Sequence, residues 1–216
     1  MQVIDLTHIL ETGMPVYPGS EQAVLLKSAT YSSHRYQETT LQFSAHTGTH
    51  IDCGRHFFKQ GLSAGNTPPD RFIGRALVID CRGIQGGTHI LKSQILSYSG
   101  RLEKTDFVLF HTGWSRFWGT DGYFRDYPTP DPEAAEFLTG FPLKGIGIDA
   151  ISLDPSDSTD FPNHRILLSR GFLLIENLTC LENLPDSEFL FSCLPLKIND
   201  GDGSPVRAVG IVGSIL

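Results

Sequence analysis

The chain has 216 residues, 40% of them hydrophobic and 19% charged, with a net charge of -7. That is the composition of an ordinary globular chain, long enough for one domain over residues 1–216 with a substantial core, and it excludes a disordered one. An acidic chain without a basic cluster is not built for nucleic acid or anionic membranes, and no apolar run approaches the ~20 residues of a membrane helix.

The first residues, Met1-Gln2-Val3-Ile4-Asp5-Leu6, carry no signal-peptide pattern, so a cytoplasmic protein is expected. Cysteines stand at 53, 81, 180 and 193 without a Cys-x-x-Cys pair; the last three sit in apolar runs and read as small core residues. Val3 to Leu6 reads as a first strand. Met14-Pro15-Val16-Tyr17-Pro18-Gly19 is turn chemistry. Val24 to Tyr31 and Tyr36 to Ala45 alternate as two strands of a hairpin around Ser32-Ser33-His34-Arg35, and the second strand runs on into the next stretch.

That stretch is His46-Thr47-Gly48-Thr49-His50-Ile51-Asp52-Cys53-Gly54-Arg55-His56. On an extended strand His46, His50, Asp52 and His56 share one face, and Thr47, Thr49 and Ile51 take the other. On a flat strand His46 and His50 would stand roughly 13 Å apart, too far for two imidazoles on one ion, so a bend is expected at Gly48. Two histidines and an aspartate give an N, N, O ligand set that suits zinc, manganese or iron and leaves positions open for water and substrate. His56 could stand beside the metal as a general acid/base. A lone His-x-x-x-His is weak evidence, but an in-phase aspartate and a third in-phase histidine strengthen it. The glycines and threonines argue against a helix.

This pattern resembles the His-x-Gly-Thr-His-x-Asp-x-x-x-His signature of the putative cyclase family of metal-dependent hydrolases, to which bacterial kynurenine formamidase and isatin hydrolase belong. The resemblance implies a swivelling β/β/α fold with a central mixed sheet or barrel-like core, usually as a homodimer. It also implies that Tyr17 helps wall the substrate pocket; the residues alone read equally as a loop aromatic packed on the core. One departure stands out. The family usually has Ala-Pro after the aspartate, and here Cys53-Gly54 follows, which loosens the backbone that aims His56 and sets a thiol beside the ligands.

Further along, Thr67 to Phe72 reads as a loop with one helical turn, and Arg75 to Cys81 as an apolar strand. Lys92 to Ser99 reads as a helix stopped by Gly100. Asp106 to Phe110 is a buried strand ending at His111, which reads as a structural hydrogen-bonder. Asp131 caps a helix that starts at Pro132. Gly145 to Asp149 is another buried strand. Asn163 to Arg170 is helical, and Phe172 to Ile175 is a strand that ends at Glu176. Taken alone, His164 is a surface helix residue and Glu176 a solvated strand end. The resemblance instead places them as the His and Glu that complete the active centre, with Asp52 bridging to a second metal. Glu188 to Ile198 and Val206 to Val212 read as two long strands. Between them, Asn199-Asp200-Gly201-Asp202-Gly203-Ser204-Pro205 lacks the downstream glutamate of a calcium loop. Many strands with a few helices indicate an α/β, mostly β, domain rather than a regular βαβ repeat.

The resemblance implies a hydrolase of carbon–nitrogen bonds acting on a small molecule: N-formylkynurenine or a similar N-formyl aromatic amine, in the manner of an arylformamidase. The same site could open a cyclic imide or lactam, or serve a cyclase or dehydratase. A metal-binding protein without turnover is the alternative of another class. One or two divalent ions are expected, zinc before manganese or iron. No Gly-x-Ser-x-Gly elbow exists to supply a serine nucleophile.

Overall fold

Apolar runs without alternation belong in strands covered on both faces, and the chain has several: Ala76-Leu77-Val78-Ile79, Phe107-Val108-Leu109-Phe110 and Leu173-Leu174-Ile175. In the computed structural model, which describes residues 1–213, all three lie in the middle of one nine-stranded mixed sheet. The strands in chain order are β1 (Gln2–Asp5), β2 (Val24–Ala29), β3 (Glu38–Gln42), β4 (His50–Asp52), β5 (Ile73–Asp80), β6 (His89–Ile90) and β7 (Phe107–His111), followed by β8 (Thr129–Pro130), β9 (Gly145–Ile148), β10 (Leu173–Glu176), β11 (Phe189–Ser192), β12 (Gly203–Pro205) and β13 (Val209–Val212). The helices are α1 (Tyr31–His34), α2 (Lys92–Ile95), α3 (Ser99–Leu102), α4 (Pro132–Leu138) and α5 (Pro162–Ser169).

The main sheet has the order β1-β13-β11-β5-β7-β9-β10-β4-β12. Its centre, β5-β7-β9-β10, is parallel, and the remaining pairs are antiparallel. Side chains alternate between two cores. Leu77, Ile79, Val108, Phe110, Ile146, Ile148 and Leu174 face the helices, against Ile95, Leu102, Ala134, Leu138, Leu167 and Leu168. Ala76, Phe107, Leu109, Leu173, Ile175 and Ile51 face the other way, onto Ile4, Leu6, Phe72, Phe189 and Phe191. The mixed sheet with few helices is the α/β, mostly β architecture expected from the sequence. Among the described residues no helix is long and apolar enough to cross a membrane.

Four expectations need correction. The motif is not one strand: only His50 to Asp52 is extended, the chain turns over Ala45–Thr49, and Gly54 to His56 is a 3-10 turn. The hairpin forms as β2 and β3, but its second strand stops at Gln42. Helix continues past Gly100 to Leu102, because the chain passes through a 3-10 turn at Leu96–Tyr98 into α3. The two long C-terminal strands are short, and part of the loop between them becomes β12. There Gly203 to Pro205 pairs with β4, which no local pattern signals. The cap is as read: Asp131 Oδ1 accepts the Ala134 N–H at 2.6 Å.

Candidate metal centre

Two strand registers build the site. β10 runs antiparallel to β4 with Glu176 opposite His50 and Leu174 opposite Asp52. Ile51 and Ile175 point into the lower core, so His50, Asp52 and Glu176 emerge together on the helix side of the sheet. All three are at least 95% buried, at 3%, 1% and 5% exposure. α5 then lays His164 over them, 4% exposed.

Each imidazole is aimed by a partner on its far side. His50 Nδ1 lies 2.8 Å from the Gly48 carbonyl, which can only accept, so Nδ1 carries the proton and Nε2 faces inward. That Nε2 is 3.4 Å from Asp52 Oδ1 and 3.6 Å from Glu176 Oε2. Gly48 makes this possible. It sits at φ 65°, and a Cβ there would meet Leu10 Cδ2 at 2.8 Å. Its carbonyl also accepts from Asn177 Nδ2 at 2.9 Å, and Asn177 Oδ1 accepts from the Tyr123 hydroxyl at 2.6 Å.

His164 is held in the same way. Its Nδ1 lies 2.6 Å from Asp154 Oδ2, and the Asp154 carboxylate also accepts the Asn163 and His164 backbone N–H groups. One buried aspartate thus caps the start of α5 and fixes the ring. His164 Nε2 is left 3.3 Å from Asp52 Oδ2 and 3.4 Å from Glu176 Oε1. Glu176 Oε1 in turn accepts the Leu153 N–H at 2.9 Å.

His46 sits on the opposite side of Asp52, Nδ1 at 2.5 Å from Oδ1, with Nε2 at 2.8 Å from Asp202 Oδ2. His56 stands beside it, ring centroids 4.0 Å apart, its Nδ1 3.3 Å from the same Asp202 oxygen. Asp52 therefore has one oxygen toward His46 and His50 and the other toward His164. Two compact ligand sets share it: His46, Asp52 and His56, and His50, Asp52 and Glu176, with the donor atoms of each set within 4.8 Å of one another. These sets overlap the His46, His50 and Asp52 set read from the sequence: both imidazoles face Asp52 Oδ1, with ring centroids 5.2 Å apart, and His56 joins on one side and Glu176 on the other. Cys53 stays out of the site. It is fully buried in the lower core, and burial pushes its thiol pKa up to about 12.

The electrostatics fit a dication. Burial disfavours charge on His46, but Asp52 and Asp202 outweigh it and hold its pKa up at about 10. Burial likewise opposes charge on His164, and hydrogen bonds to Asp154, Asp52 and Glu176 raise its pKa well above the ordinary value. Burial raises the Asp52 carboxyl, yet His46, His164 and His50 hold it well below the usual range. Protons on the histidines thus offset clustered carboxylate charge that a divalent cation would offset directly. Burial lowers the pKa of His56, so its neutral form dominates.

A cavity of about 330 Å³ opens over these residues. Val16, Tyr17, Phe57, Ile151 and Phe161 wall it, and among the described residues no lysine or arginine lines it. Tyr17 is thus one of the residues lining the pocket. His111 is not; it lies 4.0 Å from Glu182, away from the centre. Arg207 pairs with Asp5 and not with Glu176.

A family model described as putative cyclase matches residues 4–155. The chain belongs to the putative cyclase family. Within this cyclase family, it is 32% identical to the kynurenine formamidase of Salinibacter ruber, over 97% of each chain. Isatin hydrolase A from Labrenzia aggregata superposes with a TM-score of 0.89 at 27% identity, covering 99% of this chain and 94% of that one. A predicted metal-dependent hydrolase from Bacillus stearothermophilus superposes at 0.80, also at 27% identity and over 97% of each chain. Three polar residues of this cyclase-family centre carried no site reading in the sequence: Asp154, Asn177 and Asp202. None of the three had a local signal: Asp154 is one of four aspartates between 149 and 160, and polar residues after a strand or in a glycine-rich loop are common.

Proposed function

We propose that this protein is a metal-dependent hydrolase that cleaves a carbon–nitrogen amide bond in the manner of an arylformamidase, with N-formylkynurenine or a similar N-formyl aromatic amine as substrate. The observation that carries the reading is the division of the buried Asp52 carboxylate between two histidine sets at the floor of an aromatic-walled pocket. In this reading His46, His50 and Asp52 would hold one ion, and His164 and Glu176 together with Asp52 would hold a second; zinc suits the donors best, and manganese or iron also fits. When bound, the cation would lower the pKa of a water to about 7 and act as an electrophile for the carbonyl.

The chain's own residues do the rest. The anchored Nδ1–H groups of His50 and His164 keep both Nε2 lone pairs aimed inward. Tyr17, Phe57 and Phe161 offer faces to an aryl ring. His56, neutral and reachable from the pocket, accepts a proton from the attacking water and passes it to the leaving nitrogen, which departs poorly unless protonated. The site draws on residues from Tyr17 to Asp202, so the activity is assigned to 1–216 as one unit.

A second reading, opening of a cyclic imide or lactam, is favoured by one observation: among the described residues no lysine or arginine lines the pocket to receive an amino-acid carboxylate. A homodimer and a cytoplasmic location complete the proposal. Supporting the dimer, the β2–β3 hairpin exposes Leu26, Tyr31, Tyr36 and Leu41, and a two-stranded ribbon is marginal alone. Turnover of a panel of N-formyl anilines and cyclic imides by metal-loaded protein tests the assignment. Hydrolysis of the formyl anilines supports the first reading, and opening of imides alone supports the second. Turnover of neither, with metal bound, leaves a binding protein without catalysis.

A further inference from the structure

The loop that reads as a broken calcium motif has a place at the centre. Gly203, its first strand residue, stands opposite Asp52 in the β12–β4 register. The Asp202 carbonyl accepts the Cys53 N–H at 2.9 Å, and the Gly201 carbonyl accepts the Ala64 N–H at 2.8 Å. Arg55, next to His56, reaches Asp200 at 3.0 Å. The loop backbone is thus tied at several points to the segment that carries His50, Asp52 and His56. Close approach is built in. A Cβ on Gly203 would meet His46 Cε1 at 2.7 Å and the Ile51 carbonyl oxygen at 2.6 Å, so a glycine alone lets the His46 ring lie against this loop. The outcome is that one oxygen, Asp202 Oδ2, faces His46 Nε2 at 2.8 Å and His56 Nδ1 at 3.3 Å.

We propose that Asp202 is the positioning carboxylate of the site: it fixes His46 as the Nε2–H tautomer, leaving Nδ1 as the ligand atom, and holds His56 by Nδ1–H, leaving Nε2 for the substrate. The first half follows from donor arithmetic. A carboxylate only accepts, so the His46 nitrogen that faces Asp202 carries a proton. Nδ1 also faces a carboxylate, Asp52, and carries a proton without an ion; a cation on Asp52 would take that proton's place and leave Nε2–H as the one donor. His46 is then the inverse of its neighbours. His50 and His164 give Nδ1–H outward, to a carbonyl and to Asp154, and aim Nε2 inward. A carboxylate behind a ligating imidazole orients the ring and raises its basicity. The second half repeats the logic of a carboxylate that holds a general base in the correct tautomer. Asp202 touches neither the substrate pocket nor Asp52, so it acts through the two rings.

This inference rests on the metal reading above, and the two fail separately. The test uses zinc and the full chain. Competition with a chromophoric chelator gives zinc affinity for wild type, Asp202→Asn and Asp202→Ala. Two-bond 1H–15N correlations of the histidine rings in the zinc-loaded protein give the tautomers. Asp202→Ala is expected to weaken zinc about 10- to 100-fold at unchanged stoichiometry. Asp202→Asn, which keeps an accepting oxygen, is expected to fall between it and wild type. Wild type is expected to show one zinc-bound imidazole of the Nε2–H type beside Nδ1–H types, with the Nε2–H proton protected from exchange. In Asp202→Ala that protection is lost. Equal zinc affinity in all three proteins, or only Nδ1–H imidazoles in wild type, would overturn the proposal. Loss of a whole equivalent of zinc in Asp202→Asn would overturn it too, by making Asp202 a ligand. Wild type that binds no zinc would sink the metal reading as well.

Discussion

His56 and Gly48 show how single residues divide the work. His56 lies at the pocket with its ring beside His46, and in the proposed reaction it moves the proton without holding the ion. His56→Ala is therefore expected to keep its metal by elemental analysis and to lose turnover by roughly 10²–10⁴-fold. Loss of metal in this variant would make His56 a ligand, and unchanged turnover would leave it without a role. Gly48 has a purely geometric task. Its positive φ turns the chain so that its own carbonyl can take the His50 Nδ1–H. Gly48→Ala combines a left-handed backbone penalty of about 1–2 kcal/mol with contact against Leu10, so a clear fall in unfolding midpoint is expected. An unchanged midpoint would show that the turn relaxes.

At the level of elements, the β2–β3 hairpin and the β4–β10 pair are opposites. The hairpin leaves the pocket rim after Ser20 and returns at Ser44, both of which line the cavity. β3 is exposed at every position, and Leu26 and Leu41 are 57% and 54% exposed. If a second copy covers this ribbon, Leu26→Asp with Leu41→Asp should shift the protein to a monomer in sedimentation, with the zinc content unchanged. A wild-type monomer, or a variant that sediments like wild type, would remove the hairpin from the interface. The β4–β10 pair is buried throughout, and its register is functional. Because side chains alternate, a slip by one residue would turn His50, Asp52 and Glu176 into the lower core. Ile51 and Ile175, both fully buried, prevent that slip.

Across the whole molecule, the centre joins three distant parts of the chain: residues 46–56, α5 with β10, and the loop before β12. A cation bound there ties them together only in the folded state. Chelation should therefore lower the unfolding temperature, and adding metal at 100 times its Kd should restore about 2.7 kcal/mol per ion. Asp52→Ala is expected to bind no metal in either set, because both sets share that carboxylate. A zinc titration of metal-free protein separates one ion from two. Two equivalents in wild type and one in Glu176→Gln are expected. One equivalent in both would leave Glu176 at most a water-orienting role.

Read on its own, the sequence determines the chemistry and most of the elements. His46, His50, Asp52 and His56 stand close in the chain at even spacing, so periodicity alone brings them into view. The apolar runs of β5, β7 and β10 and the Asp131-Pro132 cap are likewise local signals. Local signals misjudged what depends on neighbours. The motif reads as a single strand, yet only three of its residues find partners on both sides, in β10 and β12. Nothing near Asp154, Asn177 or Asp202 marks them, because their partners lie in other parts of the chain: His164, Gly48 and His46. The pairing of the ligands was also decided in three dimensions. The sequence groups His46 with His50, and the fold keeps both rings on Asp52 Oδ1, while the antiparallel register adds Glu176 opposite His50, which no local spacing shows. Spacing can report which side chains a short extended segment puts on one face. Which strand lies alongside is settled by packing two cores against one sheet, and that belongs to the whole fold.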